Sequence, residues 1–345
     1  MKSTCLFSLL VLLFLISSAS AQQRCKLLAE NEFEGILSDE QTRQINVLVI
    51  HGTGVKPDSY ADNMTSYCFR EAGACKVDTQ NLYASQDGLI TVKKVTGQIG
   101  KDRTLAFYVL HWSNYTAAAK EMVHATERDR NVNRGLISKF LKNKVLIKEF
   151  YDFVVFSNTA FKAQIAMALD RAMDDVLKES AGKTTALNLV SGSLGSSIFI
   201  EYVNRLQYEQ ASQEPALSKE AKENIGRKID YITGNTCRFF MLTNQVNFLE
   251  SIIAQKEQML LMANKKNTMQ IVAFRHTNDA LSFYLPQNTA SLFVDFMPVK
   301  VTNVRYKNML RGNFLMQAHT RPMDLRKIHK ALLFGSAYKK VKIKP

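Results

Sequence analysis

The sequence predicts a three-layer α/β domain built on a mostly parallel sheet. Continuous apolar runs of four to six residues recur along the chain, as in strands buried on both faces, and stretches with helical spacing separate them, which implies a parallel sheet. Composition agrees. The 345 residues are 46% hydrophobic and 22% charged, with 15 glycines and 6 prolines, which excludes disordered, collagen-like and low-complexity chains. No period of roughly 20–50 residues recurs, so solenoids and propellers are excluded as well. The length fits one large α/β domain.

Residues 1–21 read as a separate object. Lys2 supplies a short positive region, Leu6 to Ile16 an apolar one, and Ser17-Ser18-Ala19-Ser20-Ala21 a small-residue cleavage site before Gln22. That is the pattern of a secretory signal peptide, too short to span a bilayer comfortably. No later apolar run approaches ~18 residues, so the mature chain 22–345 is expected to be soluble and either secreted or periplasmic. It keeps four cysteines, Cys25, Cys68, Cys75 and Cys237, and an even count in an exported chain suggests disulfides. Cys68 and Cys75 are close enough in sequence to close a small loop, leaving Cys25 for Cys237. Neither a CxxC pair nor a Cys/His cluster points to a metal site.

The first strand is Asn46–Ile50 and the second Leu105–Leu110. Residues 113–182 then separate the second strand from the third, where a simple crossover needs far fewer. Within them Ala163, Ile165-Ala166-Met167, Leu169, Ala172-Met173 and Val176-Leu177 show helical spacing. The third strand is Ala186–Val190, followed by an apolar helical run, Ile198–Val203. Residues 205–230, rich in Gln, Glu and Lys around Pro215, read as a solvated helical extension. Phe239–Leu242 and Ile271–Phe274 are the fourth and fifth strands, and Phe293-Val294-Asp295-Phe296 through Val301 is a sixth. Two roles are open to the stretches 113–182 and 205–230. They cap a cleft, lined by Phe150, Tyr151, Phe153, Phe156 and Phe161, or they pack as ordinary helices with those aromatics in the core.

The sharpest local signal is Ser191-Gly192-Ser193-Leu194-Gly195, set between a strand and a helix. A turn that tight holds its central residue in a strained backbone conformation and needs small neighbours two positions away, which Ser191 and Gly195 are. The Leu194 N–H and the helix N-terminus behind it can stabilise a developing negative charge. A second signal is His51-Gly52-Thr53-Gly54 at the end of the first strand, where Gly52 and Gly54 leave the backbone unobstructed. A phosphate cradle fits that loop less well. No Gly-Lys-Ser/Thr follows, and the third glycine of a dinucleotide fingerprint is missing.

On these residues the chain resembles the α/β-hydrolase superfamily, in its lipase and esterase branch, whose elbow is G-x-S-x-G. Ser191 stands where the family has its first glycine. The resemblance implies an α/β-hydrolase-like fold with Ser193 as nucleophile. It implies an oxyanion hole made by the Leu194 N–H and a donor at Gly52 or Thr53, with His51 buttressing the loop. The family's triad runs in the order serine, acid, histidine. Asp279 lies in the polar loop after Ile271–Phe274 and is the acid expected, with Asp295 as runner-up. His319, in the loop-like Met316–Thr320, is the base expected, ahead of His329 in a basic terminal helix; His276 is at most an orienting neighbour, and His111 and His124 precede the elbow. The implied reaction is acyl transfer from a small-molecule or lipid ester through an acyl-enzyme, requiring no metal or organic cofactor.

The net charge of +14, from 45 Lys and Arg against 31 Asp and Glu, favours peripheral contact with anionic membrane or cell-surface polymer. No aromatic-interleaved basic motif suggests nucleic acid. Two other readings share these residues: a thioesterase or amidase with the same triad, and a non-catalytic protein that binds anionic surfaces on a hydrolase scaffold.

Overall fold

The structure is a computed structural model. It describes residues 32–52, 57–129, 151–212, 217–243, 269–276, 279, 282, 285, 299–306 and 322–337. Its centre is β1, Gln44–Ile50, with every residue buried. Apolar side chains on both faces of one strand require a covering layer on each side, and the rest of the chain supplies both. After β1 come α1 (Pro57–Glu71), β2 (Cys75–Ala84), β3 (Thr91–Ile99) and β4 (Arg103–His111). Next are α2 (Ser113–Asp129), α3 (Tyr151–Phe156), α4 (Thr159–Ser180) and β5 (Thr185–Gly192). The order ends with α5 (Gly195–Ala211), α6 (Lys219–Asn235), β6 (Thr236–Leu242), β7 (Met269–His276), β8 (Val299–Tyr306) and α7 (Arg326–Phe334).

The strands form one eight-stranded sheet in the order β2-β3-β4-β1-β5-β6-β7-β8. β1 pairs in parallel with both β4 and β5, and β5 through β8 continue in parallel. Only β3 runs against the others, through antiparallel pairing with β2 and β4. The predicted three-layer α/β class is the one found. Alternate residues of each strand serve opposite faces. Val47 and Val49 of β1, Phe107 of β4, Phe240 of β6 and Phe274 of β7 meet α1 and α7 on one side. Leu48, Tyr108, Leu189, Phe239 and Ile271 meet α4, α5 and α6 on the other.

The five apolar runs all lie within strands, which extend one to three residues beyond them where they differ. Three corrections follow. First, β2 and β3 carry no continuous apolar run. β2 is the outer edge and almost wholly exposed, and β3 alternates buried with half-buried positions, so neither meets the two-sided burial that marks the central strands. Secondly, the sixth strand starts at Val299; Phe293–Phe296, with Asp295, lies outside the described residues. Thirdly, Cys68 and Cys75 are both free thiols. Cys68 points from α1 into the core, where burial pushes its thiol above the ordinary range, whereas Cys75 is exposed at the start of β2. Closeness in sequence put them on opposite sides of a turn, with one facing inward. Cys237, 1% exposed in β6, is disulfide-bonded, and Cys25 lies outside the described residues.

Within 113–182, α4 is a covering helix. Asn158 caps it by accepting from the Ala160 and Phe161 amides, and Phe161, Ile165, Leu169, Met173 and Val176 are buried on its sheet-facing side. Phe156 and Phe161 both belong to the core. α2 and α3 are joined by an ion pair of 2.6 Å between Lys120 and the buried Asp152. Within 205–230, Ile225 and Ile229 of α6 are buried. Residues 1–31, and with them the expected signal peptide, lie outside the described residues. Among the described residues no helix is long and apolar enough to cross a membrane.

Candidate active site

The parallel strands end along one edge of the sheet, and the chain's reversal at β1, with β4 on one side and β5 on the other, makes that edge a natural place for a ligand. β5 stops at Gly192. Ser193 then takes φ +48, the left-handed region that a non-glycine residue adopts only where its surroundings hold it there. Leu194 returns to helical angles and α5 begins at Gly195. Ser193 is 4% exposed. Its N–H donates to the Leu242 carbonyl at 2.8 Å, and the Thr243 N–H donates to the Phe274 carbonyl at 2.9 Å. Each strand end is thereby tied to the next. Thr243 is left-handed as well, at φ +58.

Two close backbone approaches fix the loop after β1 against this turn. A Cβ placed on Gly52 would sit 2.4 Å from both the Gly192 carbonyl oxygen and the Ser193 Cβ. A Cβ on Gly195 would sit 2.1 Å from the Ile50 oxygen and 2.9 Å from that of His51. Only glycine fits at either place. The Leu194 amide makes no hydrogen bond to another described residue, so its N–H stands open beside the Ser193 side chain at the positive end of α5.

Ser191 departs from the elbow pattern without cost to the turn. Its hydroxyl lies 2.6 Å from that of Ser196, and both side chains are buried. The pair satisfies two hydroxyls that would otherwise be orphaned. Ser191→Gly is expected to leave turnover within about threefold and to lower stability by about 1 kcal/mol, because the Ser196 hydroxyl loses its partner. Chemical denaturation with parallel rate measurements checks both.

The loop residue His51 is fully buried and stacked on Trp112, with ring centroids 5.0 Å apart. Its Nδ1 lies 2.8 Å from the Gly52 carbonyl oxygen, and its Nε2 contacts the Asp58 carboxylate. Ser113 donates to the other Asp58 oxygen at 2.6 Å. Burial pushes the Asp58 carboxyl up, yet the hydrogen bond and charge of His51, with the Ser113 hydroxyl, hold it well below the usual carboxylate range. The sequence gave no hint of Asp58 or Ser113. They reach His51 from the first turns of two helices, a contact that no local pattern records.

Asp279 is 8% exposed beyond β7, and its amide donates to the His276 carbonyl at 3.1 Å. β7 is two strands from β5, about 10 Å at ordinary strand spacing, and both strands end on the same edge. Thr53, Gly54 and His319 lie outside the described residues. Met323 does not. Its side chain packs against the elbow so closely that a Cβ on Gly192 would lie 2.8 Å from its methyl group. His329 is committed elsewhere. It is buried in α7 and donates from Nε2 to the Met323 carbonyl at 2.7 Å, and burial lowers its pKa. His111 lies 3.2 Å from Asp62. Among the described residues no group of three or more His, Cys, Asp or Glu side chains is arranged to hold a metal ion.

A central strand ending in a buried, left-handed serine at a helix N-terminus, with a glycine loop pressed against it, defines the architecture of an elbow in a doubly covered α/β sheet. No family model matches the chain, and no curated protein matches it significantly. Among solved structures it is similar to a dienelactone hydrolase from Anabaena variabilis ATCC 29413, at 11% identity over 88% of this chain and 98% of that one, with a TM-score of 0.31. It is also similar to acetyl xylan esterase 1 from Thermoanaerobacterium sp. JW/SL YS485, at 6% identity over 78% and 96%, with a TM-score of 0.20. The chemistry is read from the site's own geometry.

Proposed function

We propose that this chain is a serine hydrolase that cleaves carboxylic esters through an acyl-enzyme on Ser193. One observation carries the reading: the left-handed backbone of Ser193 at the end of the central strand, a strain that a merely structural serine has no reason to bear. In the reaction His319 accepts the Ser193 proton as the oxygen attacks the ester carbonyl, and Asp279 fixes the imidazole tautomer and balances its charge. The oxyanion is met by the Leu194 N–H and by a second amide in the Gly52–Gly54 loop. His319 then returns the proton to the departing alcohol, and water, activated by the same base, releases the acid. Support for His319 comes from chain length. Met323, which touches the elbow, follows it by four positions, a span of at most about 14 Å.

The expected setting is outside the cytoplasm, after removal of residues 1–21. Met122 and Val154 on α2 and α3, each 66% exposed, together with the charge of +14, favour an apolar or lipid ester met at an anionic surface.

The test is hydrolysis of a series of p-nitrophenyl esters from short to long acyl chains. Turnover is expected from the wild type. Asp279→Asn and His319→Ala are each expected to lose roughly 10³–10⁴-fold in kcat while staying folded. Retained turnover in either variant moves the triad elsewhere. No turnover with any ester, alongside salt-sensitive binding to anionic vesicles, favours the non-catalytic reading.

A further inference from the structure

Both ring nitrogens of His51 face oxygen acceptors. Nδ1 lies 2.8 Å from the Gly52 carbonyl, which has no proton to give, and Nε2 contacts a carboxylate. The Trp112 amide also approaches Nε2, but at 3.4 Å, the far limit of a hydrogen bond. Asp58 cannot be the donor in this contact, since its carboxyl is held in the ionised form and its second oxygen already accepts from Ser113. A ring with two acceptors and no solvent must carry a proton on each nitrogen. That charge is wholly buried, so its partner is an energetic necessity.

We propose that Asp58 is a positioning residue for the oxyanion loop: it holds His51 as a buried imidazolium, and the ring in turn clamps the Gly52 carbonyl. The clamp matters because a peptide unit is planar and rigid. Fixing the Gly52 carbonyl on the ring fixes the direction of the N–H on the opposite edge of the same unit. That unit belongs to the loop whose Gly52 lies against the Ser193 Cβ. Trp112 completes the clamp by stacking on the ring and donating from Nε1 to the His51 carbonyl at 3.2 Å. The proposal rests on the hydrolase reading and extends it to a residue on a different element from every member of the triad.

The experiment combines rates with the ¹⁵N spectrum of the histidine rings, with His51→Gln assigning the His51 signals. In the wild type at neutral pH, His51 is expected to show protons on both nitrogens. Asp58→Asn keeps the shape and the contact with Ser113 but cannot stabilise the second ring proton. It is expected to show one unprotonated nitrogen, and kcat on a short ester about 10- to 100-fold lower with KM within about twofold. Ser113→Ala, a milder change should Asp58→Asn fold poorly, is expected to keep the doubly protonated ring and lose less than about tenfold. A singly protonated His51 in the wild type, or unchanged kcat in Asp58→Asn, overturns the proposal. Full turnover by Ser193→Ala instead refutes the hydrolase reading, a failure told apart by occurring with Asp58 intact.

Discussion

Ser193→Ala is expected to lose at least ~10⁴-fold in kcat/KM on any ester the wild type cleaves. The loss is that large because the nucleophile is removed outright, leaving only the amide donors and the binding site to act on water. Folding should survive. Alanine fills the same space at 4% exposure and inherits the same backbone strain at φ +48. A second substitution separates strain from chemistry. Ser193→Gly relieves the left-handed conformation and is expected to be more stable by about 1 kcal/mol, yet equally inactive. Thermal melts and rates on the two variants check the pair. A residue whose replacement raises stability and abolishes turnover is held there by function.

Gly52→Ala is expected to have the next largest effect, because the new methyl has nowhere to go. Its position lies 2.4 Å from a backbone oxygen of Gly192 and from the Ser193 Cβ, well inside contact distance, and neither neighbour is a flexible side-chain end. The loop and the elbow must move apart. The expected result is about 1–3 kcal/mol of lost stability and roughly 100-fold lower kcat, since an oxyanion donor displaced by about an ångström no longer meets its target. Gly234→Ala is the matching control. It lies in α6 with nothing within 4 Å of the added methyl, so activity is expected to be unchanged and stability equal or slightly greater.

How much of this was legible in the sequence follows from what each element buries. The central strands announce themselves because residues such as Val47 and Leu48 face opposite covering layers, and both must be apolar. β3 stays hidden because Lys93 and Lys94 interrupt any apolar pattern. Lys94 is nevertheless buried, since Asp175 and Glu179 of α4 receive its charge at 2.6 and 3.0 Å. That pairing is tertiary, and no window of sequence contains it. The elbow is legible for the opposite reason. Its constraint is local, a turn tight enough to demand small residues at 191 and 195, and it shows even where Ser191 replaces a glycine. The compensating Ser196 hydroxyl could be located only in the fold. His51 reads from sequence as part of a glycine loop, but the carboxylate that controls it sits seven positions on, across a helix start.

Reaction with a fluorophosphonate probe, followed by identification of the modified peptide, measures the central proposition most directly. The account predicts a single stoichiometric adduct on the peptide carrying Ser193, absent from Ser193→Ala and formed much more slowly in Gly52→Ala. An adduct on another serine, or equal labelling of wild type and Ser193→Ala, contradicts it.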